Sequence, residues 1–376
     1  MARSVYYFTD SRQSGGAEAA LLLLIANLDR GEWRPTLLYN PSPSLEPVAG
    51  AARELGATVR AVRALSWELD GARRLKRLVS ELKRERPAVF HAHLSWPLAA
   101  RFPLAAAVVA RVPAVVATFH LFPPAPLRKT TLLQGRLLAA GMGRAIAVSQ
   151  AIATSLDDVL GWPPHKIEVI RNGIDLVRFQ QPPDPELRRA LAAGSHDVVV
   201  ATTARLDPQK GLDVLLRAIR AVDGARFVIA GTGPERARLE SQAVALGVQE
   251  RVQFLGYRDD VPALLAASDA FVLPSLFEGT PLALLEAMAA GMPVVSSAIP
   301  GTDEVVSDGE TGLLVRAGDA DALADALRRI VAEPELRARL GAAARRRAET
   351  EHSAVSSTRR IAAVYDEVLR ERGSRA

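Results

Sequence analysis

The sequence predicts an α/β protein of two units, each a mostly parallel sheet with helices on both faces. Three observations carry that reading. Short apolar, β-branched runs alternate with amphipathic stretches, the order of strand–helix–strand units. The alternation halts at residues 180–185, QQPPDP, and then restarts. The length, 376 residues, exceeds what a single core of about 250–300 residues holds.

Composition narrows the function classes. An apolar fraction of 49% and a charged fraction of 24% are those of a soluble globular chain. The chain has no cysteine, which excludes disulfides, thiolate zinc sites and a cysteine nucleophile. The opening MARSVYYFTDS lacks a long apolar stretch, and residues 98–119 are cut by Arg101, Pro103, Arg111 and Pro113. Neither reads as a signal peptide or a spanning helix, so a cytoplasmic protein is expected. The net charge of +5 is uneven. Residues 1–180 carry 23 Lys/Arg against 14 Asp/Glu, whereas residues 181–376 carry 24 against 28. A basic first half suits an anionic surface or ligand near it.

In the first half, residues 4–9 read as a strand leading through DSRQSGGAE into ALLLLIANLDRG, an apolar helix ended by Gly31. Gly15 and Gly16 thus fall in a strand-to-helix loop, where glycine lets backbone approach a ligand. No G-x-G-x-x-G follows, so this is not a dinucleotide fingerprint. Residues 36–40 and 57–62 read as strands. Residues 72–86 read as a helix with Leu75, Leu78, Val79 and Leu82 on one stripe and seven Lys/Arg elsewhere against Glu81 and Glu85. A solvated face is the plain alternative to a patch for anionic lipid headgroups. Residues 88–93 and 115–119 read as strands ending in His91-Ala92-His93 and at His120. Two histidine-bearing strand ends raise the question of a metal. No carboxylate lies near them in sequence, so none is expected. Residues 132–143 read as a helix and 144–149 as a strand with Ser149 capping the next helix. Residues 167–170 form a further strand before the turn dipeptide Asn172-Gly173.

The second half repeats the pattern. Strands are expected at 197–203, 226–230, 252–255 and 270–273, and helices at 212–222, 236–246 and 261–267. In ARLDPQKG, Arg205 and Lys210 flank an Asp-Pro turn, so both can enter one concavity and suit a diphosphate. A solvated turn is the alternative. After the apolar strand 270–273 come a loop, Pro281 in a first helical turn, LALLEAMAA, Gly291 at a left-handed cap, and VVSS as a strand. The loop and the helix's first N–H groups suit an anion, above all a phosphate. Glu278 and Glu286 frame that helix. Helices at 320–332, 335–348 and 356–369 complete the chain.

The stretch FEGTPLALLEAMAAGMPVVSS resembles the Glu-x7-Glu motif of retaining glycosyltransferases of the GT-B fold, in particular glycosyltransferase family 4. The resemblance extends to GGAE, to HAHLSWPLAARF with VVATFH, to ARLDPQKG, to GTGP at 231–234 and to IPGTDEVVSDGETGLLV at 299–315. RNGID is similar to the family's Pro-Asn-Gly-(Ile/Val)-Asp, with Arg171 in place of proline. Ala204 stands where the family has glycine.

The resemblance implies two Rossmann-like domains facing a cleft, with the terminal helix crossing back. Residues 1–180 would form the acceptor side, 186–355 the nucleotide-sugar side, and 356–376 the returning helix. Arg205 and Lys210 would hold the diphosphate, helped by backbone N–H groups near Thr280 and Leu282. Glu286 would bind ribose, Glu278 would orient the donor sugar, and Gly15 and Gly16 would let the first loop close on the phosphates. His120 would be the active-site histidine, reaching the donor sugar, with no metal and no cofactor. The donor is expected to be a UDP-sugar first and a GDP-sugar second. The acceptor is expected to be a glycan or lipid-linked glycan of cell-surface polysaccharide or glycolipid synthesis, met at the inner face of the membrane through residues 72–86. No nucleic acid partner is expected. A non-hydrolysing sugar-nucleotide epimerase shares the fold, and a non-enzymatic two-domain binder is the alternative from another class.

Overall fold

The computed structural model describes residues 2–11, 14–63, 69–96, 98–122, 129–193 and 197–374. Arg12 and Gln13 of the first glycine loop lie outside these. The chain divides into two compact units, Met1–Gly173 with Ala354–Ala376, and Ile174–Ser353.

Among the described residues the first unit holds seven strands: β1 (Arg3–Thr9), β2 (Trp33–Tyr39), β3 (Thr58–Ala61), β4 (Val89–Leu94), β5 (Ala114–Phe119), β6 (Arg144–Ala147) and β7 (Ile167–Val169). All pair in parallel, in the order β3-β2-β1-β4-β5-β6-β7. β4 and β5 are buried along their whole length, as central parallel strands covered on both faces are. One face is covered by helices Gly16–Asn27 and Ala354–Gly373, through Leu21, Ile25, Val364 and Val368. The other is covered by helices Leu69–Glu85, Arg101–Val109, Lys129–Gly141 and Gln150–Asp158, through Leu78, Leu82, Leu104, Ala139 and Leu156.

The chain thus returns to the first unit at its end, and ion pairs fasten it there. Arg144 Nη2 meets Glu367 at 3.0 Å and Glu371 at 2.5 Å, and Arg3 meets Asp366 at 2.5 Å. A Cβ on Gly143 would lie 2.4 Å from Val368 Cγ1, so only glycine lets the helix sit this close.

The second unit holds β8 (Val198–Thr203), β9 (Ala225–Ala230), β10 (Val252–Gly256), β11 (Ala270–Leu273), β12 (Val294–Ala298) and β13 (Gly312–Arg316). They form one parallel sheet in the order β10-β9-β8-β11-β12-β13. In both sheets the order of connection reverses at one place, between β1 and β4 and between β8 and β11. Open α/β sheets bind ligands outside the carboxyl ends of the strands at such a reversal.

Three helices are absent from the expected pattern. Glu46–Glu54 is short and lies in a Pro-, Ala- and Gly-rich stretch. Arg101–Val109 carries Pro103, which breaks the pattern on paper yet is tolerated in a first turn. Pro185–Leu191 begins inside QQPPDP, where the Asp184 carboxylate accepts from the N–H groups of Glu186 and Leu187. The helix expected to run to Gly31 instead spans Gly16–Asn27, beginning directly after the loop glycine.

Candidate functional site

At the reversal in the second unit, two loops meet: residues 204–211 after β8 and 274–281 after β11. Leu276 N–H donates to Gln209 O at 2.8 Å, and Gln209 Nε2 donates to Phe277 O at 2.9 Å. Gly211 has φ +60°, and a Cβ there would lie 2.1 Å from Pro274 O. Glycine therefore sets both the turn and the closeness of the loops. Behind them, a Cβ on Gly231 would meet Ala204 O at 1.9 Å, and one on Gly233 would meet Leu206 O at 2.2 Å. The GTGP segment is thus the floor on which the Arg205 loop rests.

This packing brings Lys210 and Glu278 together. Lys210 Nζ lies 2.5 Å from Glu278 Oε1, which also accepts from Ser275 Oγ at 2.8 Å. Both side chains are largely withdrawn from water, at 17% and 8% exposure, so the pair is a strong local dipole. Arg205 is exposed and pairs with Asp207 through its Nε. Thr280 and Leu282 are buried at the start of helix Leu282–Ala289, whose first N–H groups lack intrahelical acceptors as in any helix. Gly301, at φ +89°, lies against Gly279 O and closes this loop from the far side.

Glu286 stands on the same helix, half-buried. Burial pushes its carboxyl up to about 7, with the Arg178 charge pulling the other way. Near neutral pH it is divided between acid and carboxylate.

At the reversal in the first unit, Asp10 follows β1 and Ser95 follows β4. Asp10 Oδ1 accepts from Ser95 N–H at 3.1 Å and from Ser95 Oγ at 2.8 Å. Burial pushes the Asp10 carboxyl up to about 6, and its Oδ2 is closed to solvent with no partner among the described residues. Glu18, 2% exposed, accepts from Thr9 Oγ1 at 2.7 Å, and burial raises its pKa as well. Gly15 has φ −165°, an extended conformation any residue adopts, and a Cβ on Gly16 would meet nothing within 4 Å. Among the described residues nothing demands glycine at these two positions.

His120 follows β5. Its Nε2 lies 2.9 Å from His93 Nδ1, and the two rings stack with centroids 5.1 Å apart. His91, on the same side of β4, is held by Thr118 Oγ1 at 2.8 Å and Tyr365 Oη at 2.6 Å. Burial lowers all three histidines, His91 to about 3, His120 to about 4 and His93 well below the usual value, so the cluster is neutral at pH 7. A cavity of about 30 Å³ beside His93, His120, Asn172 and Gly173 has room for a water-sized group and not a sugar. Among the described residues no group of three or more His, Asp or Glu is placed to hold a metal ion.

The structure therefore gathers Lys210, Glu278, Thr280, Leu282 and the exposed Arg205 at one sheet reversal, and Gly15, Gly16 and His120 at the strand ends of the other unit. Sequence reasoning assigned no role to Asp10, Glu18, His93 or Tyr365. Glu18 stood in the quoted GGAE and His93 in HAH. Asp10 gave no local signal and Tyr365 gave only its place on an apolar helix stripe, since their hydrogen-bond partners lie 85 and 274 residues away.

Comparison with known proteins bears on both units. The family model of glycosyltransferase family 4 matches residues 14–178, and that of glycosyl transferases group 1 matches residues 183–347. The lipopolysaccharide core biosynthesis glycosyltransferase LpsE of Rhizobium meliloti is 36% identical over 197 residues, 50% of this chain and 54% of that protein. A D-inositol 3-phosphate glycosyltransferase of Salinispora tropica is 33% identical over 272 residues, 66% of this chain and 56% of that protein. The chain spans about half the length of these curated relatives. The crystal structure of Anabaena HepE with UDP and glucose matches at a TM-score of 0.85 and 23% identity, covering 97% of this chain and 100% of that one. At that identity the likeness bears on the fold.

Proposed function

We propose that this chain, which belongs to glycosyltransferase family 4 and has the GT-B fold, transfers a sugar from a nucleotide-diphosphate sugar to a glycan or lipid-linked glycan with retention of anomeric configuration. The observation that carries this reading is the Lys210–Glu278 pair at the β8–β11 reversal. A cation and a carboxylate side by side match a donor that is anionic at its diphosphate and hydroxylated at its sugar.

In this reading Lys210 and Arg205 hold the diphosphate and offset the charge that grows on the leaving nucleotide. The N–H groups near Thr280 and Leu282 assist at the helix start. Glu278 accepts hydroxyls of the donor sugar and Glu286 those of the ribose. Gly15 and Gly16 leave room for phosphate beside the first helix. His120 contacts the donor sugar. No metal or cofactor is invoked. UDP is the first candidate nucleotide, supported by the UDP bound to HepE, and GDP the second.

The acceptor side is read as cell-surface polysaccharide or lipopolysaccharide synthesis, in line with LpsE. The work would be done in the cytoplasm at the inner face of the membrane. No helix among the described residues is long and apolar enough to cross a membrane. Helix Leu69–Glu85 exposes Lys76, Arg77, Lys83 and Arg84, while Glu81 is engaged by Arg60 at 2.8 Å. On the same sheet face an apolar groove of about 320 Å³ runs between helices Arg101–Val109 and Lys129–Gly141, with Val109 and Leu137 exposed on its rim. Cations beside exposed apolar side chains suit an anionic bilayer.

Thermal shift against UDP, GDP and ADP, followed by nucleotide release from the matching sugar nucleotide, tests the reading. A ligand that binds only the folded state raises Tm. One nucleotide should do so, and its sugar form should yield free nucleotide by transfer or slow hydrolysis. Binding without nucleotide release would point to an epimerase or a pure binder instead.

A further inference from the structure

His93 and His120 share one hydrogen bond, Nδ1 to Nε2 at 2.9 Å, so one of these two nitrogens carries a proton and the other is bare. Two arrangements satisfy this. If His120 Nε2–H donates, neutral His93 must carry its own proton on Nε2. That nitrogen is closed to solvent and has no partner among the described residues, so the proton would be an orphaned buried donor. If His93 Nδ1–H donates, His93 Nε2 is the bare nitrogen and no donor is orphaned. The second arrangement wins because buried donors without acceptors carry the full cost of lost hydration. The neighbouring His91 does not change the count, since both its nitrogens are already bonded, to Thr118 and Tyr365.

The choice propagates. A neutral His120 whose Nε2 accepts must hold its proton on Nδ1. Among the described residues no side-chain bond of His120 other than that to His93 occurs. We propose that His93 is a positioning residue that fixes His120 as the Nδ1–H tautomer, so that His120 presents a ligand with a neutral hydrogen-bond donor and not a base. This rests on the reading of His120 as a site residue. Burial supports it independently, since the cluster holds no imidazolium at pH 7 that would blur the two arrangements.

The test is two-bond ¹H–¹⁵N correlation on the full chain labelled with ¹⁵N-histidine, at pH 7. Variants His93→Asn and His120→Ala assign the two spectra among the six histidines. His120 should show the neutral Nδ1–H pattern, which free histidine in water disfavours. In His93→Leu it should revert to mainly Nε2–H. His93→Asn, whose carboxamide can donate near the place of Nδ1–H, should keep it. Nucleotide release should follow the tautomer: kcat about tenfold or more lower in His93→Leu and largely restored in His93→Asn, with donor KM little changed. The donor is the sugar nucleotide, among UDP-glucose, GDP-mannose and ADP-glucose, that raises Tm. Wild-type His120 in the Nε2–H form overturns the proposal, as does a His93→Leu spectrum identical to wild type. Full turnover in His120→Ala with the predicted spectra would instead overturn the placement of His120 in the site.

Discussion

Lys210 Nζ and Glu278 Oε1 lie 2.5 Å apart, although 68 residues separate them in sequence. The contact follows from sheet order. β8 and β11 are neighbours, Gly211 lets their loops touch, and Lys210 on one loop thereby meets Glu278 on the other. Each partner is a site residue in the proposed function, and each also neutralises the other while no ligand is present. In the proposed function, a donor diphosphate would therefore compete with Glu278 for Lys210.

This coupling makes stability non-additive. Lys210→Ala should leave the Glu278 carboxylate withdrawn from water beside Ser275, with its cation gone. The loss should be about 2–4 kcal/mol, and it should shrink markedly in Lys210→Ala with Glu278→Gln, because the orphaned charge is removed too. Urea unfolding of the two single variants and the double variant measures this. Additive losses would mean that the pair is not formed in solution.

His120→Ala should cut transfer strongly while leaving the far-ultraviolet spectrum nearly unchanged, with Tm lowered because buried His93 loses its acceptor. The residue sits at the end of β5 and only part of its side chain is packed. Near-normal turnover would exclude it from the site.

Glu286 gives a prediction with a definite sign. Its carboxyl is raised from 4.5 to about 7 in the fold, so the folded chain binds more protons than the unfolded chain between those values. The stability contribution is present below about 4.5 and is lost as pH rises through about 7. Glutamine does not titrate. The stability of wild type minus that of Glu286→Gln should therefore fall between pH 5 and pH 8, by on the order of 1 kcal/mol. A difference that stays flat would mean that the carboxyl is not raised.

Vesicle sedimentation tests the basic helix. Binding to anionic vesicles should be clear at low salt and weak at high salt, and Lys76→Glu with Lys83→Glu should abolish it without changing nucleotide binding. Binding indifferent to lipid charge would remove the helix from that role.

Local signals made much of the fold legible. The strand Ala270–Leu273 and the helix Ala320–Ala332 lie where their apolar runs, proline and glycine place them. Ser149 caps helix Gln150–Asp158 by accepting from Ile152 N–H, as its position before an apolar helix suggests. Arg101–Val109 was hidden because proline reads as a breaker until its place in the first turn is known. The site was legible only as separate residue types. The Lys210–Glu278 pair, the His93–His120 bond and the seat of Tyr365 on His91 all join strand ends or helices far apart in sequence. No window of neighbouring residues contains them.

The central claim is that the β8–β11 crevice seats a nucleotide diphosphate with Lys210 on the phosphates and Glu278 on the sugar. Calorimetric titration of wild type, Lys210→Ala and Glu278→Ala with the nucleoside diphosphate that raises Tm tests it most directly. Lys210→Ala should weaken binding roughly ten- to a hundredfold, the worth of a lost charge-assisted contact. Glu278→Ala should leave affinity unchanged or raise it, because it frees Lys210, although turnover of the sugar nucleotide falls. Equal weakening by both variants, or no loss in Lys210→Ala, would contradict the account.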